Sequence, residues 1–131
     1  MTNALCERVG ECVDALNLPD ALAEIFKLIN RANKYIDETT PWLLAKDESK
    51  RDRLGTVLYN LAEAIRVCAV MLTPFLKNTA EKILAKFSLK LPQDFSDARF
   101  GVLKEGTEVV KGENLFNRID VNKELKEMER L

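Results

Sequence analysis

Asn30-Arg31-Ala32-Asn33-Lys34-Tyr35-Ile36-Asp37-Glu38-Thr39-Thr40-Pro41-Trp42 brings a long amphipathic helix to an abrupt corner. The helix starts near Pro19 and runs to Thr39, with Leu22, Ile25, Phe26, Ile29, Ala32 and Ile36 along one side. That is the spacing of a 3.6-residue repeat with one buried stripe. Pro19 suits its first turn, where a missing N–H has no partner to lose. Pro41 stops it, because the residue before a proline is pushed out of the α region. Thr40 can then N-cap a short turn, Pro41 to Ala45, which holds the only tryptophan of the protein.

The same reading extends in both directions. Leu5, Val9, Cys12, Val13 and Leu16 predict a first helix over Thr2 to Leu16. After a charged connection from Lys46 to Arg53, a third helix is predicted from about Lys50 to Leu72. It carries Leu54, Val57, Leu58, Leu61, Ala62, Ile65, Cys68, Ala69 and Leu72 on an arc wide enough for neighbours on two sides. Thr73 is expected to cap a fourth helix with Pro74 as its first residue and Leu76, Ala80, Ile83, Leu84 and Phe87 buried. Short connections between such segments predict antiparallel neighbours.

From Ser88 onward Pro92, Gly101, Gly106 and Gly112 punctuate the chain. Phe100 to Leu103 and Thr107 to Val110 read as β-like pieces of a small hairpin. Asp120 is placed to N-cap a last, highly charged helix from Val121 to Leu131. The expected fold is therefore all-α: an antiparallel bundle over residues 1–90, and over 91–131 an irregular, partly β-like tail whose terminal helix packs weakly on it.

Composition narrows the function by exclusion. At 131 residues, with 47% apolar and 31% charged residues, the chain suits one ordinary globular domain. There is no histidine, which removes Ser-His-Asp and Cys-His nucleophile systems, imidazole bases and every histidine-containing zinc site. No Gly-rich phosphate cradle is present. Cys6, Cys12 and Cys68 form no C-x-x-C pair and fit reduced, packed thiols. The N-terminal residues do not read as a signal peptide. No apolar run approaches the roughly 18 residues needed to span a bilayer, so no membrane is expected. The net charge of −1 announces no nucleic acid, so any RNA contact must use a local surface and a few bases. The chain reads as a binding or structural module with no catalytic residue and no metal ligand.

Three ordered motifs carry a family resemblance. Asn33-Lys34-Tyr35-Ile36-Asp37-Glu38-Thr39-Thr40-Pro41-Trp42 resembles the Asn-x-Tyr-(Ile/Val)-Asp-Glu-x-x-Pro-Trp stretch of the anticodon-binding helical domain of methionyl-tRNA synthetases, and Leu43-Leu44-Ala45-Lys46 continues the match. Arg66 to Leu76 resembles the family's next helix and the Pro-Phe-Leu corner after it. Leu115-Phe116-Asn117-Arg118-Ile119-Asp120 is similar to its Leu-Phe-Pro-Arg-Ile-Asp segment, with Asn117 in place of the proline. The family's His-Ile-Gly-His-like and Lys-Met-Ser-Lys-Ser-like catalytic signatures have no counterpart here. Nor does the first helix of its anticodon domain, which supplies an Asn and an Arg that help read the anticodon.

The resemblance implies that the partner is the anticodon stem-loop of methionine tRNA, in the cytoplasm, and that the catalytic domain of the same synthetase binds ATP and methionine. This chain would then carry no cofactor and be inactive alone. The ring of Trp42, set up by Pro41, would stack on an anticodon base; read without the family, a lone Trp at a helix corner more often plugs the bundle end. Asn30, Asn33 and Asp37 share one helical face leading to it. Asn33 is either a base reader or a buried amide satisfied by backbone. Asp37 either rejects wrong bases or ends a solvated helix. Arg31, Lys34 and Lys46 flank the corner and suit phosphates, whereas Lys77, Lys82, Lys86 and Lys90 read as solvated. The apolar Leu115–Ile119 segment could promote self-association through the tail. The alternative function is a protein–protein interaction bundle without RNA binding.

Overall fold

The structure is a computed structural model that describes residues 2–92 and 94–130. It contains α1 (Thr2–Asp14), α2 (Leu18–Thr39), α3 (Pro41–Leu44), α4 (Arg51–Leu72), α5 (Lys77–Ala85) and α6 (Val121–Met128). Short 3₁₀ turns cover Glu48–Lys50 and Phe95–Asp97, and no strand occurs among the described residues. The all-α expectation holds.

Helix boundaries follow local chemistry. α1 stops two residues before the expected Leu16, because Leu16 turns left-handed at φ +56° and the Asn17 N–H reaches back 2.8 Å to the Cys12 carbonyl. The Asn17 side chain then caps α2 through the Asp20 N–H. Thr73 does not cap a fourth helix. It remains helical at the end of α4 and donates its hydroxyl to the Ala69 carbonyl at 3.1 Å, so that hydroxyl is already used. Pro74 sits in the following turn, and α5 begins only at Lys77, without a side-chain cap.

The central helix is α4, which packs against α1, α2, α3, α5 and both 3₁₀ turns. Val67, Ala69 and Met71 on α4 meet Leu5 and Val9 of α1, Ala21 and Ile25 of α2, and Leu84 of α5 in one core. Glu48–Leu72 is also long and apolar enough to cross a membrane by length and composition alone, contrary to the sequence expectation. Half of its most apolar window is buried within the bundle. Within α4 sits a fully buried ion pair, Glu63 with Arg66.

That pair holds the tail. Glu63 Oε1 accepts the N–H groups of Gly101, Val102 and Leu103 at 2.6, 2.5 and 3.1 Å. Arg66 donates Nη1 to the Asp97 carbonyl at 2.7 Å and Nη2 to the Arg99 carbonyl at 2.5 Å. The expected hairpin over Phe100–Leu103 and Thr107–Val110 is therefore absent. The donors a cross-strand ladder would need are spent on a carboxylate, and Gly101 at φ +92° and Gly106 at φ +76° make turns instead. Tyr59 adds a 2.8 Å hydrogen bond to the Leu103 carbonyl. Ala98 and Leu103 are buried against the bundle, but every residue of α6 is exposed. The terminal helix expected to pack on the bundle thus stands clear of it, and Leu131 lies outside the described residues.

Burial alone pushes the Glu63 carboxyl upward, but the Arg66 guanidinium and the Leu103 and Val102 N–H groups outweigh it and hold the group below its ordinary range. The unfolded value is roughly 4.3. Glu63 therefore contributes its stability in full above that pH and loses it as pH falls through the lower folded value. Acid titration followed by amide exchange should show Gly101–Leu103 released as Glu63 protonates. Glu63→Gln leaves Arg66 charged and unpaired, and should lower the unfolding free energy by about 3–5 kcal/mol. Urea unfolding measures it; a loss under about 1 kcal/mol would show that the clamp is not structural.

Burial also pushes the Cys68 thiol to about 12. Burial first, then the Glu7 charge, raises Cys6, whose Sγ lies 3.8 Å from the Phe95 carbonyl. Both should resist iodoacetamide in the folded protein at neutral pH and react on unfolding, since the thiolate is the nucleophile. Mass spectrometry before and after urea reads this directly.

Candidate nucleic-acid interface

The corner after α2 is a strained piece of backbone. Thr40 adopts φ +43°, ψ +61°, the left-handed region that β-branched residues avoid. Such a conformation costs on the order of 1–3 kcal/mol and persists where its surroundings fix it. Here the fixing bonds are explicit. The Thr40 N–H donates to Ile36 O at 2.9 Å, and its carbonyl accepts from Leu43 N at 2.8 Å and Leu44 N at 3.3 Å. Thr40 thus closes α2 and opens α3 through its backbone, and its side chain makes no capping hydrogen bond. Pro41 follows with its ring in the first turn, where no N–H is needed.

Trp42 projects from this corner with 52% of its surface exposed, beside an equally open Leu43. α3 rests on α4, so the Trp42 backbone is held by the bundle while about half of the residue faces solvent. That combination, a fixed base and an open π-face, is what base stacking uses. A ring that only plugged the bundle end would be buried.

The polar residues singled out in the sequence lie on α2 and are all exposed. Asn30, Asn33 and Asp37 form an outward edge about 10 Å long, given the helical rise. Asn33 is therefore not a buried amide. Together with Ile29 and Ile36 it borders an apolar groove of about 610 Å³ between α2, α4 and α5. Arg31 and Lys34 both turn to Glu38, at 3.1 and 3.8 Å. Exposed pairs of this kind are worth about 0–1 kcal/mol, so either cation can exchange Glu38 for a phosphate at little cost. Lys46 is exposed just past α3 and forms no ion pair among the described residues. Its neighbour Asp47 is held below the ordinary carboxylate range by the Ser49 hydroxyl, the Lys50 ammonium and the Ser49 N–H. Lys82 on α5 and Lys86 just past its end border a smaller cleft with Val110 and Gly112, and Lys86 Nζ is 3.5 Å from the Glu113 carbonyl.

Two positioning features escaped sequence reading. Tyr35 accepts a 3.2 Å hydrogen bond from Asn60, tying the motif-bearing end of α2 to α4. The Thr40 conformation had no composition signal, because threonine is an unusual occupant of that region. Among the described residues no group of three or more Cys, Asp or Glu side chains is arranged to hold a metal ion.

Comparison with known proteins agrees with this geometry. The profile of the anticodon binding domain of methionyl tRNA ligase matches residues 2–130. A methionine–tRNA ligase of Caldanaerobacter subterraneus is 54% identical over 129 residues, 96% of this chain and 20% of that protein. The Bacillus subtilis enzyme is 46% identical over 80% of this chain and 16% of its own length. The crystal structure of free Mycobacterium tuberculosis methionyl-tRNA synthetase superposes with a TM-score of 0.81 at 32% identity, over 91% of this chain and 24% of that one. The chain spans about a fifth of the length of these curated relatives. With almost every residue inside the matching profile, the chain belongs to the family of methionyl-tRNA ligase anticodon-binding domains.

Proposed function

We propose that this domain reads the anticodon loop of methionine tRNA, serving methionyl-tRNA formation by a methionine–tRNA ligase in the cytoplasm. The observation that carries the reading is Trp42, half exposed on a corner whose backbone is fixed by three hydrogen bonds. Sequence-specific RNA recognition favours loops, where unstacked bases expose faces and edges. Trp42 stacks on one such base, Asn30, Asn33 and Asp37 line the approach, and Arg31, Lys34 and Lys46 take the flanking phosphates. In this reading ATP and methionine belong to the catalytic domain of the same synthetase, because these residues include no phosphate cradle and no histidine. Purified chain should accordingly show no methionine-dependent ATP–pyrophosphate exchange. The rival reading is a helical bundle that binds only protein.

A titration with an anticodon stem-loop bearing CAU against scrambled loops separates the two readings. Trp42→Ala should cost about 1–3 kcal/mol of loop affinity, the scale of one base–aromatic stack, and erase the preference for CAU. Trp42→Phe should keep part of it. Thermal unfolding of Trp42→Ala should stay close to the parent, because half of the ring is already solvated. Equal binding of all loops by the parent chain would favour the protein-binding bundle. Collapse of the Trp42→Ala fold would make the ring a structural plug. Lys46→Ala should weaken all loops alike and flatten the salt dependence by about one phosphate contact.

A further inference from the structure

The corner that carries Trp42 has two arms, and both are referred to α4. α3 packs directly on α4. The end of α2 is joined to it by a polar bond: Asn60 on α4 donates Nδ2 to the Tyr35 hydroxyl at 3.2 Å. Among the described residues this is the only side-chain hydrogen bond between α2 and α4. Tyr35 carries the connection onward through its backbone, because its carbonyl accepts the Thr39 hydroxyl at 2.6 Å. Thr39 adjoins the left-handed Thr40, whose N–H closes on the Ile36 carbonyl at 2.9 Å. We propose that Asn60 and Tyr35 are positioning residues for Trp42: their hydrogen bond keeps the last turn of α2 wound under the strained corner and so fixes where the ring meets an anticodon base. The consequence for RNA rests on the anticodon reading above; the effect on the ring does not.

The corner needs such a tether. Thr40 relaxes from its left-handed conformation as soon as the turn before it unwinds, and helix ends fray readily. This end is weaker than most. Asp37 and Glu38 sit in the last turn of α2, where the helix dipole disfavours negative charge, and no basic residue lies there. Pro41 prevents the helix from continuing through the corner. A bond from Tyr35 to a neighbouring helix therefore opposes unwinding just where the local sequence favours it.

The pair acts on the ring rather than on a base. Tyr35 is two residues from both Asn33 and Asp37, about 160° around α2 from each, and so lies away from the approach that they line. Tyr35 and Asn60 are half-buried beside a cleft of about 370 Å³ that Arg31 and Phe100 also border. Water reaches either group there when its partner is removed, so the fold survives the loss of the bond.

Trp42 is the only tryptophan, so its fluorescence reads this corner alone in the 131-residue chain. Asn60→Ala and Tyr35→Phe should each shift the anisotropy decay of Trp42 toward fast local motion. Amide exchange at Thr40 should speed up about three- to tenfold in each, the scale of one neutral hydrogen bond. The double variant should be no looser than either single one, because both remove the same bond. Unfolding midpoints should fall by no more than about 5 °C. With the CAU stem-loop, both variants should lose about three- to tenfold in affinity at an unchanged salt slope, since no phosphate contact goes. A lower midpoint with unchanged ring motion and Thr40 exchange would make the pair an ordinary contact between helices and overturn the proposal. Affinity lost without any change in ring motion would overturn it too, because Tyr35 or Asn60 would then touch the RNA directly. So would additive loosening in the double variant, which would mean two independent contacts. A parent chain with no preference for CAU would end the anticodon reading, and ring motion with Thr40 exchange would still decide whether the pair positions Trp42.

Discussion

The buried carboxylate of Glu63 makes the tail part of this domain. Fully enclosed on α4, it would carry a desolvation cost of several kcal/mol if unpaired. Arg66, one helical turn later, neutralises it, and the two groups then have hydrogen-bonding capacity left over. The tail fills that capacity: three consecutive N–H groups close on Glu63 Oε1, and two carbonyls close on the Arg66 fork. Replacing the pair by hydrocarbon could not stand in for it, because five backbone groups would lose their partners and each buried orphan costs about 1–3 kcal/mol. The helices could form without this clamp, but residues 97–103 could not lie where they do.

A second constraint acts at the other end of α4. The α2–α3 corner needs a left-handed residue, and a threonine supplies it at a cost that glycine would avoid. The strain is balanced by the hydrogen bonds around Thr40 and by Pro41, whose fixed φ starts the next turn. Asn60 and Tyr35 tie α2 to α4 a turn earlier. The ring of Trp42 therefore inherits its position from backbone bonds and from α4, not from burial of its own surface. A side chain held in that way can meet a ligand without first being ordered, which lowers the entropic cost of binding.

What the sequence disclosed and what it hid follow from the range of the interactions. The first five helices and the Pro41 stop rest on period and proline chemistry, which are local, and they were legible to within a few residues. Thr73 misled because a hydroxyl can serve the helix it ends as readily as the one it starts, and only the geometry chooses Ala69. The β-like residues from Phe100 to Val110 misled because strand propensity describes side chains that pack on a pleated surface, and here the backbone donors were claimed by a carboxylate some 40 residues away. Glu63 and Arg66 carry no sequence signal of burial, since their i, i+3 spacing suits a solvated pair equally well. Asn33 lay beside the apolar stripe and so allowed a buried reading; it is exposed because the groove it borders is open.

The open groove also explains why the apolar arc of α4 looked wider than one neighbour could cover. Leu58, Leu61 and Ile65 continue the stripe past the surface that α2 and α5 occupy, and Leu58 and Ile65 stay exposed. A face of this kind costs solubility unless something covers it. The C-terminal helix has the opposite problem, an apolar stripe with no bundle beneath it. Each feature alone would be a liability. Neither face is covered among the described residues, and the chain spans about a fifth of the length of its curated relatives.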